Sequence, residues 1–232
     1  ASGYKPCKCV RIAKCTCAIP RTPASEERGT IMKQLNEKVA VVTGAGQGIG
    51  KGIALCLAKR GVKVIATGRR LEPIEATIAE IRELGGEGFA MTCDSADRER
   101  VFEVVAKAVE TYGSIDVIVN NGQAIVPSQP VEDTEYDNML KAWESGVIGS
   151  LNYMQAAFPH MKEQHEGRII NFASATGMFG IAGQLAYGSN KEALRGLTKI
   201  AAKEWGQYGI TVNIVLPGAE SPAAKAWAEK FP

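Results

Sequence analysis

From Lys38 onward the chain alternates short apolar runs with longer stretches in which apolar residues recur every three or four positions. The short runs are KVAVVT (38–43), VKVIAT (62–67), GFAMTC (88–93), IDVIVNN (115–121), GRIINFA (167–173) and ITVNIVLP (210–217). Their length and their β-branched content predict strands. Between them, GIGKGIALCLAKRG (48–61) predicts a helix stopped by Gly61. LEPIEATIAEIRELGG (71–86) sets Ile74, Ile78, Ile81 and Leu84 on one helical face and closes on Gly85 and Gly86. Three more helices are predicted, at 97–113, 134–162 and 184–206.

The strands are nearly continuous apolar runs rather than alternating ones, as in strands covered on both faces. Strand and helix alternate, so each connection is a crossover and the sheet is parallel. The expected fold is α/β: a doubly wound, Rossmann-like parallel sheet with helices on both faces. In such sheets ligands bind beyond the carboxyl ends of the strands.

A chain of 232 residues fits one large domain with a sizeable core. A net charge of +2 gives no general pull toward nucleic acid or membrane. No apolar run approaches the roughly 18 residues of a membrane span, and residues 1–30 lack the apolar stretch of a secretory signal. Four of the six cysteines (Cys7, Cys9, Cys15, Cys17) crowd the basic segment before residue 32, leaving only Cys56 and Cys93 in the body. The body therefore reads as a reduced, cytoplasmic protein without a metal site.

The C-x-C pairs of the early segment could hold a soft metal. Structural zinc sites space their ligands more widely, however, and Pro6, Pro20 and Pro23 break the segment up. Disorder is the favoured reading. The run SEERGTIM, whose Glu-Glu-Arg-Gly implies purine-rich codons ahead of Met32, suggests translation starting at Met32. Residues 1–31 are then a disordered or non-native extension, and residues 32–232 a single domain.

Candidate chemistry gathers at the strand ends. TGAGQGIG (43–50) follows the first strand and opens the first helix. Glycines permit the tight turn and close approach of a pyrophosphate, and the helix N-terminus offers free N–H groups. Gly44, Gln47, Gly48, Ile49 and Gly50 form this candidate phosphate cradle. After the second strand stand Gly68, Arg69 and Arg70, where a carboxylate would grip the ribose hydroxyls of NAD. Guanidinium groups suit a 2′-phosphate, so NADP(H) is preferred over NAD(H).

Together TGAGQGIG, NNGQ (120–123), Ser174 and YGSNK (187–191) resemble the short-chain dehydrogenase/reductase family over residues 36–218. The resemblance implies hydride transfer between a nicotinamide cofactor and a carbonyl or secondary alcohol. Tyr187 would be the general acid or base, its pKa lowered by nearby Lys191 and the oxidised nicotinamide. Lys191 would also hold the nicotinamide ribose, and Ser174 the reacting oxygen. Asp94 resembles the family's adenine contact. Asn120 resembles the residue that steadies the strand ends beside the cofactor, with Gly122 in the same motif. Pro217 and Gly218 resemble the turn near the nicotinamide. A homodimer or homotetramer built on helices 134–162 and 184–206 is expected.

The sequence also departs from the family. Where the family carries a relay Asn, three residues before a Gly, this chain has Gly146, so a side-chain amide is missing at that position. Ser145 or water could substitute. Gln123 replaces a common Gly, and only fourteen residues follow Gly218, too few for the last strand and substrate lid. Met178, Phe179 and Ile181 suggest a hydrophobic carbonyl or alcohol substrate. The alternative function is a catalytically weakened dinucleotide-binding homologue acting as a sensor or interaction module.

Overall fold

The computed structural model describes residues 35–218. The expectations for residues 1–31, for an extra strand and for a lid lie outside the described residues. Six parallel strands form one sheet in the order β3-β2-β1-β4-β5-β6. They are β1 (Val39–Thr43), β2 (Lys63–Gly68), β3 (Gly88–Thr92), β4 (Val117–Asn120), β5 (Gly167–Phe172) and β6 (Ile210–Val215). The helices are α1 (Gly48–Ala58), α2 (Leu71–Glu83), α3 (Arg98–Tyr112), α4 (Tyr136–Trp143), α5 (Gly149–Gln164), α6 (Ala175–Phe179) and α7 (Leu185–Trp205).

Period-two alternation along β1 explains the two layers. Val39 and Val41 point into a core shared with Val101, Val104, Tyr153, Met154 and Met161 of α3 and α5. Ala40 and Val42 point the other way, against Ala54, Ile74, Ile78 and Ile81 of α1 and α2. Each fully buried Val or Ile contributes about 1.5–3 kcal/mol, so a strand packed on both faces anchors the domain. That expectation holds for β1 and β4, whose residues are buried throughout. It fails for β3, partly exposed along its length, and for β6, which alternates. Both lie at the edges of the described sheet and have one neighbour each.

At the amino ends of the strands, Asp116 accepts from the Val39 N–H at 2.8 Å and the Lys38 ammonium at 2.9 Å. This buried carboxylate ties β1 to the start of β4, on the face away from the chemistry.

The helix expected at 134–162 departs from a plain α-helix. Its rod runs from Tyr136 to Gln164 but is α-helical only at either end, with a π-helical turn at Glu144–Ile148. Such turns insert one residue into the helical ladder and are frequent at functional sites. The short helix α6, missed by the periodicity, starts at Ser174, whose side chain accepts from the Thr176 N–H.

Candidate active site

The order β3-β2-β1-β4 reverses strand direction of growth at β1, and a cleft opens there beyond the carboxyl ends. At its floor Gly44 and Gly48 adopt φ of +64° and +54°, conformations that side chains resist. A Cβ on Gly44 would stand 2.9 Å from the Gly122 Cα, and one on Gly50 2.6 Å from the Asn121 Nδ2. Gln47 caps α1 without a side-chain hydrogen bond, so the first-turn N–H groups remain available to an anion.

Asn121 fastens this turn. Its Nδ2 donates to the Thr43 carbonyl at 3.0 Å, and its N–H donates to the Thr43 hydroxyl at 3.0 Å. The cleft measures about 620 Å³ and is lined by Gly44, Gln47, Gly48, Ile49, Arg69, Arg70, Asp94 and Gly122 from the sequence-predicted set. Arg69 and Arg70 are exposed, and among the described residues neither forms an ion pair.

Asn120 is buried and does not line the cleft; its Nδ2 donates to the Asn171 Oδ1 at 2.9 Å, bracing the end of β4 against β5. Gly50 packs behind the loop. Pro217 and Gly218 directly follow β6 and do not line the cleft.

A nicotinamide dinucleotide fits these residues. The glycine turn leaves room where a Cβ would collide, and the Arg69 and Arg70 side chains line the cleft beside it. Both amide atoms of Gln123 are buried at the cleft wall without a partner. Gln123 marks a departure from the family whose consequence lies in this unspent amide.

Ser174, Tyr187 and Lys191 gather beyond the end of β5, and none of the three lines the cleft. The Ser174 hydroxyl accepts from the Thr176 N–H at 3.2 Å and lies close enough to the Tyr187 phenol to act on its pKa. The Lys191 Nζ lies 5.6 Å from the centre of the Tyr187 ring and donates to the Phe172 carbonyl. In the protein alone, burial pushes the Tyr187 phenol above its ordinary value, and the nearby Ser174 hydroxyl pulls it partway back. Lys191 itself is buried, and desolvation brings it down to about 7, which weakens the charge that would act on the phenol.

Gly146 is buried in the π-helical turn. An amide is present nearby even though position 146 carries none. A Cβ on Gly146 would collide with the Asn190 side chain, standing 2.7 Å from its Cγ. The Asn190 Oδ1 accepts from the Val147 N–H at 2.9 Å. Ser145, offered as a substitute, is engaged elsewhere: its hydroxyl donates to the Lys141 carbonyl and accepts from the Ala124 N–H at 3.1 Å.

Sequence reasoning did not single out Asn121 or Asn190 as parts of this assembly. Asn121 lay inside the quoted NNGQ and could have been found there. Asn190 lay within YGSNK, but its partner stands 43 positions away and no local pattern joins them. Among the described residues no group of three or more His, Cys, Asp or Glu could hold a metal, and no helix is long and apolar enough to cross a membrane.

Comparison with known proteins agrees with this geometry. The family profile described as short chain dehydrogenase matches residues 38–230. A 12alpha-hydroxysteroid dehydrogenase from a Clostridium species is 36% identical over 202 residues, covering 84% of this chain and 78% of its own. A NAD+-bound xylitol dehydrogenase structure superposes with a TM-score of 0.77 at 35% identity, covering 79% of this chain and 71% of its own. A metagenomic short-chain oxidoreductase in complex with NADP gives 0.76 at 31% identity, covering 80% and 84%.

Proposed function

Because the chain belongs to the short-chain dehydrogenase family of oxidoreductases, we propose that it reduces a hydrophobic ketone, or oxidises the matching secondary alcohol, with NADP(H) preferred over NAD(H). The observation that carries this reading is the assembly of Ser174, Tyr187 and Lys191 at the end of β5. A bound nicotinamide supplies or accepts the hydride. Tyr187 gives its phenolic proton to the carbonyl oxygen, which becomes the alcohol oxygen, and Ser174 hydrogen-bonds that same oxygen. Lys191 steadies the resulting phenolate and holds the nicotinamide ribose. A phenol whose pKa is raised by burial is protonated at neutral pH, which favours reduction.

The dinucleotide is held by Gly44, Gln47, Gly48 and Ile49 at the pyrophosphate, by Arg69 and Arg70 at the 2′-phosphate, and by Asp94 at the adenine. The known structures include one NAD+ complex and one NADP complex, so the preference rests on the arginine pair. Exposed Met178 and Phe179 on α6, with Ile181 beside them, provide an apolar wall for the substrate. The name of the hydroxysteroid relative is consistent with a bulky apolar alcohol. The sensor alternative is disfavoured because the three reacting side chains are all present and in register.

The test is NADPH oxidation against cyclic ketones and 3-oxoacyl thioesters across pH. Lys191 is charged below about 7 and neutral above it. The kcat/KM for reduction therefore falls as pH rises through that value, and Lys191→Met flattens the profile while lowering activity. A profile unchanged by Lys191→Met contradicts the role given to the amine.

Self-association belongs to the same proposal. Tyr136, Leu140, Trp143 and Ile148 along the α4 rod and Ile200 on α7 leave apolar surface exposed, suiting a homodimer or homotetramer. Sedimentation at micromolar concentration should give a dimer or tetramer; a stable monomer refutes it.

A further inference from the structure

Asn190 is fully buried, one residue before Lys191 on α7. Its oxygen accepts from Val147 in the π-helical turn, while its Nδ2 has no partner. The same turn sends Ser145 to the Ala124 N–H in the wall of the cofactor cleft. Asn190 therefore touches a segment bonded to the cleft on one side and belongs to the helix of Tyr187 and Lys191 on the other. The space beside Gly146 holds one amide. Any side chain at 146 would have to displace it.

We propose that Asn190, seated against Gly146, is a positioning residue that clamps the π-helical turn to the catalytic helix and so fixes Lys191 relative to the cofactor cleft. The inference rests on the catalytic reading of Tyr187 and Lys191. Lys191 is held only by its neighbours: among the described residues no Asp or Glu pairs with it, and the groups it meets are the Phe172 carbonyl and the Tyr187 ring. Its placement therefore depends on how α7 is seated, and Asn190 seats it at the adjoining position.

The test is a cycle of three variants in the full chain, read by turnover, NADPH binding, thermal unfolding and the pH dependence of kcat/KM. Asn190→Ala should fold and bind NADPH, but turn over roughly 10-fold more slowly or worse, the scale of a misplaced catalytic group. Its pH midpoint should move up from about 7, because a loosened Lys191 regains water. Gly146→Asn should also lose activity, since two amides compete for one space. Gly146→Asn combined with Asn190→Ser should recover turnover and the original midpoint, because one amide again fills the space. An Asn190→Ala enzyme with parental turnover and midpoint overturns the clamp, as does a double variant no better than Gly146→Asn alone. Tyr187→Phe in the same assay separates the failures. Full rate in Tyr187→Phe removes the catalytic reading itself, whereas its collapse beside a parental Asn190→Ala removes only the clamp.

Discussion

Tyr187→Phe should bind NADPH as the parent does and turn over about 10²–10⁴-fold more slowly, the loss typical of a removed general acid. The substitution deletes one hydroxyl and keeps a ring that is partly buried on α7, so the fold has little reason to change. What disappears is the phenolic proton that the proposed reduction delivers to the substrate oxygen. No other side chain at the end of β5 can stand in. Lys191 has donors beyond the one given to the Phe172 carbonyl, but its part in this reading is to steady the phenolate and hold the ribose. Steady-state rates with fluorescence titration of NADPH check both halves of the expectation.

The second large effect falls on cofactor choice. Arg69→Ala should weaken NADPH by roughly 10–100-fold while leaving NADH nearly unchanged. A hydrogen bond to a charged group contributes about 1.5–3 kcal/mol, and each 1.4 kcal/mol is about tenfold in affinity. Only NADPH carries the extra phosphate that this guanidinium would meet. Arg69 has no ion-pair partner among the described residues, so its removal breaks no ion pair there. Titration of both cofactors against both proteins gives the ratio. Equal losses for the two would mean that the arginines do not read the 2′-phosphate.

The parts legible in the sequence are those fixed by local chemistry. Gly44 and Gly48 had to be glycine because their backbone turns left-handed, and that need is visible in TGAGQGIG without any knowledge of the fold. The six strands declared themselves by runs such as VAVVT, whose every residue is buried. What the runs did not reveal is that the sheet's boundary leaves β3 and β6 partly uncovered.

Two features of the site depended on contacts between distant segments. Burial, and with it the low pKa of Lys191 and the raised one of Tyr187 in the protein alone, came from packing that YGSNK cannot express. Gly146 looked like a lost amide because position 146 was read alone. The Asn190 amide occupies that space from the opposite helix, and the exchange appears only when α7 and the π-helical turn are side by side.

The central claim is that this chain moves a hydride between a nicotinamide and a carbonyl carbon while Tyr187 moves the proton. The most direct measurement supplies NADPH deuterated at its transferable position, offers a panel of hydrophobic ketones, and examines the products by mass spectrometry. The account predicts an alcohol carrying one deuterium at the former carbonyl carbon, formed by the parent protein and nearly absent with Tyr187→Phe. A protein that binds NADPH tightly yet deuterates none of the panel, or a Tyr187→Phe variant that deuterates as fast as the parent, would contradict it.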